Sequence, residues 1–143
     1  MPRPFTEAER AEFLARKHIC VLSVNTGDGQ PPASIPIWYD YTPDGMIRIN
    51  TGVNNRTARL VQQAGVVTIV VQREELPYQY VVIEGTVVAA TTPAPLEART
   101  EIAVRYLGEE RGRAFARHGD DGDAVLFTIR PDRWRTNDFT GDV

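Results

Sequence analysis

The sequence predicts a mainly β fold with peripheral helices, in which six antiparallel strands curl into a small barrel. The first observation behind this prediction is the presence of six extended, apolar-rich segments within the 143 residues. Most connections between these segments are too short for the right-handed crossovers that parallel strands need. In addition, apolar and polar residues alternate only weakly, as expected for strands enclosed in a barrel.

Length and composition predict one domain, residues 1–143, whose core needs no disulfide or metal ion. The 16 basic and 19 acidic side chains give a net charge of −3, which argues against a nucleic-acid-binding protein. No apolar window approaches the ~20 residues that span a bilayer, so no membrane association is expected. Cys20 has no second cysteine to pair with, and this predicts a reducing compartment, the cytoplasm.

The first elements are a short helix and a strand. The capping-box spacing of Thr6 and Glu9 predicts a helix over residues 6–16. Residues 18–25 then form the first strand, which is apolar on both faces, and the glycine-containing segment 26–29 supplies the turn after it.

A hairpin is predicted next. The extended segment 33–41 contains Pro36, which cannot donate to a strand ladder and belongs at an edge or a bulge. Residues 43–45 have the composition of a tight turn, and residues 46–51 form the returning strand. We therefore expect the strands 33–41 and 46–51 to pair.

A helix and two further strands follow. Either Asn54 or Asn55 can cap a helix that runs to Ala64 and ends at Gly65. This helix is followed by a strand rich in β-branched residues over residues 66–72, a turn at Pro77 and a long strand over residues 78–90. Within that long strand, Gly85 marks a bulge or a close approach of another backbone.

The last third of the chain is predicted as helices followed by a strand. Residues 92–107 and 109–118 form two helical stretches that are separated by Gly108. The sixth strand covers residues 124–130, and Pro131 begins a tail. The helices between residues 92 and 118 lie outside the barrel.

The junction between the strand 46–51 and the helix after it carries the clearest functional signal. Free backbone N–H groups and the positive end of the helix dipole favour an anion at a helix N-terminus. This junction adds hydroxyl, amide and guanidinium groups from Thr51, Asn55, Arg56, Thr57 and Arg59. The pattern predicts a phosphate-binding site, and a capped surface helix with solvated arginines is the alternative that it leaves open.

Motifs for the common catalytic machineries are absent from the sequence. It contains no glycine-rich dinucleotide fingerprint, no nucleotide-binding P-loop, no nucleophile elbow and no paired-cysteine motif. Neither His18 nor His118 has neighbours with the spacing of a zinc site, so no metal site is expected. The catalytic residues therefore stay unassigned.

Several segments together carry a family resemblance. They are residues 33–39, the turn at 43–45, and residues 50–60, 67–72, 80–85, 105–108 and 130–134. In their order and spacing the chain resembles the pyridoxamine 5′-phosphate oxidase-like split-barrel proteins over nearly its whole length. Within that group it is most similar to the actinobacterial flavin- and deazaflavin-dependent oxidoreductases.

The resemblance implies a split barrel of six strands that forms a homodimer, with cofactor clefts at the subunit interface. Family members bind FMN or the deazaflavin coenzyme F-420 there. The strand that lies against the cofactor ring matches Ile35, Pro36, Ile37 and Trp38. The phosphate-binding stretch matches Thr51, Arg56 and Thr57. A segment that reaches the ring from the other subunit matches Tyr78, Gln79 and Tyr80.

This chain also departs from the true pyridoxamine phosphate oxidases. Those enzymes carry an arginine and a lysine near the positions of Ser34 and Tyr39, and a lysine at the position of Thr57. Their arginine-rich C-terminal motif is not reproduced in residues 135–143. Vitamin B6 oxidation is therefore not expected. The loss of three cations also favours coenzyme F-420 over FMN, which ranks second.

The function implied is hydride transfer from the reduced deazaflavin, or from FMN, to a small conjugated or planar acceptor. Trp38, Tyr78 and Tyr80 are candidate walls for that acceptor, and Tyr39, Tyr80 or solvent could supply a proton. Two other hypotheses stay open. One is a non-catalytic protein of the same fold that binds or stores a flavin, a deazaflavin or a haem-type ligand, and the other is a dimeric interaction domain without a small ligand.

Overall fold

The computed structural model describes residues 2–119 and 121–142. In order, the strands of this part are β1 Cys20–Val24, β2 Ala33–Ile37, β3 Asp40–Tyr41, β4 Ile47–Gly52, β5 Val66–Arg73, β6 Gln79–Thr91 and β7 Ala124–Asp138. The α-helices are α1 Glu7–Ala15, α2 Arg56–Ala64, α3 Leu96–Leu107 and α4 Glu109–His118, and a short 3-10 helix covers Asp121–Asp123.

All seven strands belong to one antiparallel sheet in the order β2-β1-β5-β6-β7-β4-β3. The first and last strands of this order follow each other in the chain and are joined by Trp38 and Tyr39. The sheet therefore curls round until its two edges meet at this junction. The predicted mainly β fold with peripheral helices and a split, curled antiparallel barrel is confirmed.

The predicted number of six strands is wrong, because the single strand expected over residues 33–41 is two strands. Its first part, β2, pairs with β1, and only its second part, β3, pairs with β4 as predicted. Between them, the backbone N–H of Tyr39 donates to the hydroxyl of Tyr106, 3.1 Å away. A side chain thus takes the place of a ladder partner at the point where the chain passes from one sheet edge to the other.

The core lies between the curled sheet and the helices α1 and α2. Alternate residues of the central strands β1 and β5 are buried, so alternation in these strands is clearer in the structure than in the sequence. Helix α1 contributes Phe13 and Leu14 to this core, and helix α2 contributes Ala58 and Val61. Cys20 is fully buried among them, as its apolar surroundings predict.

The last strand is longer than predicted, because β7 continues through Pro131 to Asp138. It pairs with β6 on both sides of a register shift, at which Pro131 lies opposite Gly85. A Cβ atom on Gly85 would lie 2.6 Å from Cγ2 of Ile129. The bulge and the close approach predicted at Gly85 are both present, and the irregular register accommodates a proline inside the sheet.

The caps and stops predicted for helices α1 and α2 are present in the structure. Asn55 is the N-cap of helix α2, and its Oδ1 accepts from the backbone N–H of Ala58 at 2.8 Å. The helix ends at Gly65, whose φ of 73° is in the left-handed region that favours glycine. The capping box predicted at Thr6 and Glu9 is formed as well.

Candidate functional site

A cleft of about 510 Å³ opens where the ends of β2 and β4 face helices α3 and α4. Its wall includes Ile37, Trp38, Asn50, Thr51, Ile102 and Phe115. Two of the predicted segments thus meet at one place: the end of the strand expected to face a cofactor ring, and the start of the expected phosphate-binding stretch. Asn50 and Thr51 give the cleft a polar side, whereas the aromatic and aliphatic residues give it an apolar side.

Trp38 is held in this wall by helix α3. Its ring stacks on the ring of Tyr106 with centroids 4.7 Å apart and an angle of 8° between the planes. The hydroxyl of Tyr106 is fixed in turn, since it lies 2.5 Å from the carbonyl oxygen of His18 and 3.1 Å from that of Tyr39. These contacts position the Trp38 indole without any group from outside the chain.

Helix α4 supplies the wall next to Trp38. It packs against α3 through Gly112, where a Cβ atom would lie 2.5 Å from Cα of Val104. From α3, the buried guanidinium of Arg99 donates to the carbonyl oxygen of Ala116 at 2.8 Å, near the negative end of the α4 dipole. Helix α4 is therefore fixed close to α3, and Phe115 lies at the cleft with its ring centroid 5.7 Å from that of Trp38.

The predicted phosphate-binding residues surround the N-terminus of helix α2. Asn55 links the strand to the helix, because its Nδ2 donates to Oγ1 of Thr51 at 2.8 Å while its Oδ1 caps Ala58. The backbone N–H groups of Arg56 and Thr57 belong to the first turn, where a helix provides no acceptor. Thr51 lies both here and in the cleft wall, so the N-terminus of helix α2 adjoins the cleft.

The two arginines of this segment differ in their contacts. Arg59 donates from Nη1 to the carbonyl oxygen of Asn54 at 2.5 Å. The guanidinium of Arg56 makes no hydrogen bond or ion pair within residues 2–119 and 121–142, and it is exposed. The pKa of Asp28 is lowered, chiefly by hydrogen bonds from Thr26 and Gln30, with a smaller contribution from the charge of Arg56. Arg56 is thus the cation that is available to an anion.

Asn50 carries an unsatisfied polar atom at the cleft. Its Oδ1 is buried and has no hydrogen-bond partner among the residues that the structure describes. A buried acceptor without a donor is costly, by about 1–3 kcal/mol, so such atoms commonly mark a place where a ligand or a water binds. The side-chain amide of Asn50 can accept one hydrogen bond and donate others to a ligand in the cleft.

The remaining predicted residues lie away from this cleft. Gln79 pairs with Asp138 near the end of β7, whereas Thr51 pairs with Val125 near its start. At ~3.3 Å per residue, these two positions are roughly 40 Å apart along the strand. Within one chain, Tyr78, Gln79 and Tyr80 are therefore not brought to Thr51. Ile35 and Pro36 are exposed on β2 and are likewise outside the cleft wall.

The two tyrosines considered as proton donors are both engaged elsewhere. Tyr39 is completely buried, and its hydroxyl donates to the carbonyl oxygen of Leu14 at 2.8 Å. Burial also raises its pKa above the usual range. The hydroxyl of Tyr80 accepts from Nδ2 of Asn137 at 2.6 Å, beside the end of β7. Neither hydroxyl faces the cleft of its own chain.

The buried thiol and the nearby imidazole do not point to a reactive centre. Burial raises the pKa of the Cys20 thiol to about 12, and its Sγ lies 3.4 Å from the carbonyl oxygen of Ile37. The ring of His18 stacks on Phe13 with centroids 4.4 Å apart, and burial lowers its pKa. Both groups pack beneath the sheet junction, which is a structural position.

Neither a metal-binding cluster nor a membrane-spanning helix is found among the described residues. Within residues 2–119 and 121–142, there is no group of three or more histidine, cysteine, aspartate or glutamate side chains that could hold a metal ion. No helix in this part of the chain has the length and apolarity needed to cross a membrane.

Asn50, Arg99, Ile102 and Phe115 are cleft residues that the sequence prediction does not include. Phe115 had a detectable signal, because it is the one large apolar side chain in the otherwise charged and small-residue sequence of α4. Asn50 lies within the segment 50–60 that carries the resemblance, whereas Arg99 and Ile102 had no such signal, since their position depends on how α3 and α4 fold back over the end of β4.

The fold and the cleft define a small split barrel in which the N-terminus of helix α2, with the exposed Arg56, lies beside an aromatic pocket. Residues 6–138 match the family model described as Pyridoxamine 5'-phosphate oxidase. The chain belongs to this family, and the resemblance found in the sequence is confirmed. Comparison with curated protein sequences gives no significant match.

Solved structures share the fold at low sequence identity. A conserved hypothetical protein of Mycobacterium tuberculosis has a TM-score of 0.76 and 22% identity, covering 94% of this chain and 85% of its own. A protein described as an F420 reductase has a TM-score of 0.68 and 20% identity, covering 87% and 94%. A pyridoxamine 5'-phosphate oxidase-related, FMN-binding protein of Nostoc punctiforme has a TM-score of 0.68 and 16% identity, covering 95% and 85%.

Proposed function

We propose that the protein is an oxidoreductase that transfers a hydride from reduced coenzyme F-420, or from FMN, to a small planar acceptor. The observation that carries the proposal is the cleft at which Thr51 joins the N-terminus of helix α2 to the aromatic wall at Trp38. It combines an anion-binding end with an apolar pocket, as a phosphate-bearing ring cofactor requires.

The residues present fit such a cofactor. Arg56 and the N–H groups of the first α2 turn would hold the phosphate, with Thr51 beside them. The unsatisfied Oδ1 of Asn50 matches the imide N–H that flavin and deazaflavin rings both carry. When bound, the reduced cofactor supplies the hydride, and the protein supplies orientation and exclusion of water.

The chain's own residues leave proton transfer to solvent. The hydroxyl of Tyr39 is buried against the carbonyl of Leu14, and Tyr80 is bonded to Asn137 at the other end of the sheet. Trp38 and Ile102 form an apolar wall that limits the access of water to one side of the cleft. The acceptor would gain its hydride in the cleft and its proton at the open side.

Coenzyme F-420 is the preferred cofactor in this proposal, and FMN is second. Arg56 is the available guanidinium at the anion site, whereas Arg59 is bonded to the carbonyl of Asn54. A single available cation provides fewer charge-assisted bonds than a phosphate monoester group such as that of FMN can use. Both kinds of protein occur among the structural relatives, so the preference rests on this charge argument.

The proposal includes a homodimer. In one chain Tyr78 lies far along the sheet from the cleft and is 49% exposed, so it could face only the cleft of a second copy. On the outer face of the sheet, three half-exposed valines form a row across strands β1, β5 and β6, in which Val21 pairs with Val70 and Val70 pairs with Val82. A dimer mass in light scattering at micromolar concentration supports this arrangement, and a monomer mass contradicts it.

The proposed function is tested by titrating the apo-protein with F-420 and with FMN, followed by cofactor fluorescence. Wild type is compared with Arg56→Ala and with Arg111→Ala, which removes an exposed arginine of α4 outside the cleft wall. Because a charge-assisted bond is lost, Arg56→Ala should bind roughly 10- to 100-fold more weakly, whereas Arg111→Ala should match wild type. Failure of wild type to bind either cofactor contradicts the proposal.

The same protein with bound reduced cofactor can be used to distinguish a non-catalytic storage protein from an oxidoreductase. Stoichiometric cofactor that is not oxidised by quinones, nitroaromatics, enones or tetrapyrroles would identify a non-catalytic binding protein. Oxidation of the reduced cofactor that is saturable in one of these acceptors would identify the oxidoreductase, with the acceptor class given by kcat/KM.

A further inference from the structure

Phe115 is a large exposed side chain without a packing role in its own helix. Helix α4 docks on the rest of the protein through small residues, since Gly112 and Ala116 are the buried members of its sequence. Phe115 lies between them in the chain but is 59% exposed, and its ring is part of the cleft wall. The docking of α4 therefore does not account for a phenylalanine at this position.

The surroundings of Phe115 form an aromatic corner. Its ring is tilted by 49° to that of Trp38, with centroids 5.7 Å apart, so the two rings form adjacent sides of one pocket. Tyr106 covers one face of Trp38 by stacking. Ile102 and Ala103 of α3 continue the apolar surface beneath them. A flat apolar ring can thus lie against Phe115 and Trp38 at once.

We infer that this corner is the acceptor subsite, and that Phe115 selects flat aromatic or quinonoid acceptors of one or two fused rings. The inference rests on the proposed function for the identity of the ligand as an acceptor. Aromatic side chains favour such ligands through apolar burial and through offset or edge-to-face ring contacts. A quinone bound there gains a hydride from the reduced cofactor, which loses two electrons, and a solvent proton completes the hydroquinone.

Binding can be measured without the cofactor, because the cleft contains one of the two tryptophans of the chain. In a Trp134→Phe background, the fluorescence of Trp38 reports on ligands in the corner. The probe is 2-methyl-1,4-naphthoquinone, titrated into the apo-protein. We expect saturable quenching in this background, and only collisional quenching in a Trp38→Phe protein that retains Trp134.

Three substitutions then test Phe115. Phe115→Ala should weaken naphthoquinone binding by about tenfold, Phe115→Leu by less, and Phe115→Tyr by no more than about twofold, because tyrosine retains the ring. The matched control is Leu96→Ala, which removes an apolar side chain of α3 that is 49% exposed and outside the cleft wall. It should bind like its parent. Equal affinity in the Phe115→Ala and parent proteins overturns the inference.

Measurements on the protein with bound cofactor can distinguish failure of this inference from failure of the proposed function. With cofactor bound, Phe115→Ala should raise KM for the naphthoquinone by about tenfold and should change kcat/KM for an acyclic enone by less than about twofold. If no acceptor is reduced but the Phe115-dependent quenching persists, the hydride-transfer proposal fails and the aromatic subsite stands. If saturating cofactor abolishes the quenching, the corner belongs to the cofactor and the subsite inference fails.

Discussion

The hydroxyl of Tyr106 accepts a hydrogen bond from the backbone N–H of Tyr39 at 3.1 Å. This bond joins helix α3 to the seam of the barrel, which is the junction at Trp38 and Tyr39 where the two edges of the sheet meet. Tyr39 lies between β2 and β3, the two edges of the sheet. Next to it, Arg105 donates to the carbonyl oxygens of Leu14 and Ala15 at the end of helix α1. The end of α3 thus fixes the seam, the first helix and, through ring stacking, the position of Trp38.

Tyr106→Phe should therefore destabilise the protein although it removes a single oxygen atom. The change leaves the N–H of Tyr39 and the carbonyl of His18 without their partner, at a cost of about 1–3 kcal/mol. For a chain of this size the melting temperature should fall by roughly 3–10 °C. Tyr41→Phe is the control, because the hydroxyl of Tyr41 makes no hydrogen bond within the described ranges. Equal melting temperatures for both variants would contradict this account of the seam.

Arg48 provides a second stability test. Its guanidinium bonds to Asp40 at 2.9 and 2.5 Å and to Glu101 at 2.7 Å, and the side chains of Arg48 and Asp40 are only 18% and 13% exposed. These carboxylates, with Asp40 first, raise the pKa of Arg48. Arg48→Met leaves the buried carboxylate of Asp40 unpaired, so we expect a loss of about 2–4 kcal/mol in urea unfolding.

The control for this prediction is Arg113→Met. Arg113 pairs with Glu109 on the surface of α4, and both side chains are exposed. Exposed pairs contribute at most about 1 kcal/mol, so this variant should unfold near the wild-type midpoint. A smaller loss in Arg48→Met than in Arg113→Met would show that the Asp40 contact is not stabilising.

The stability of the N-terminal helix should depend on pH below about 4.5. Hydrogen bonds from Arg3 and from the N–H of Thr6 lower the pKa of Glu9 from 4.5 to about 2. Because the folded state holds this carboxylate deprotonated, its contribution is complete above the unfolded pKa and is lost as the pH falls from about 4.5 to about 2. In Glu9→Gln, the deficit in melting temperature relative to wild type should be present at pH 6 and should shrink at pH 3.

Glu7→Gln is the matched control for the loss of the Arg3 contact. Glu7 lies in the same helical turn but forms no ion pair with any described residue. At pH 6 this variant should show a smaller deficit in melting temperature than Glu9→Gln, because it removes no ion pair among the described residues. A deficit of Glu9→Gln that stays constant over this range would contradict the assigned role of the Arg3 contact.

Gly112→Ala tests the contact between helices α3 and α4. A methyl group at an uncrowded helical position is usually stabilising, by up to about 1 kcal/mol. Here its carbon would lie 2.5 Å from both Cα and N of Val104, so α4 must move and the sign should reverse, with a loss of about 1–3 kcal/mol. The same movement displaces Phe115, and naphthoquinone binding should weaken as well.

Gly141→Ala is the corresponding control, since a Cβ atom there has no neighbour within 4 Å. Its melting temperature should stay within about 2 °C of wild type, because substitutions at uncrowded surface positions usually change stability by less than about 0.5 kcal/mol. A stabilised Gly112→Ala protein would show that the two helices are less closely packed than described.

Much of the fold could be predicted because the signals are local. The cap at Asn55, the stop at Gly65 and the bulge at Gly85 depend on the conformational preferences of the residues themselves. The break between β2 and β3 could not, because it is set by the side chain of Tyr106, which is distant in sequence. The extension of β7 past Pro131 also depends on a register shift that becomes visible only when β6 lies beside it.

The candidate site likewise contains some residues that could be predicted from the sequence and others that could not. The segment around Arg56 could be predicted as a candidate anion site, because a strand end, a cap and a helix N-terminus follow one another there. Phe115 becomes a site residue only through tertiary packing. Tyr78, Gln79 and Tyr80 remain predicted cofactor contacts, and they depend on a second copy of the chain.

The seam at Trp38 and Tyr39 also bears on aggregation. The edge of a sheet is normally a template on which a foreign strand can add, and long flat edges promote amyloid-like stacking. Here one edge strand, β3, is two residues long, and the other, β2, contains Pro36, which has no N–H to offer. Because both edges also meet at a single seam, the barrel presents little backbone to another chain, so the folded protein should remain dispersed at high concentration.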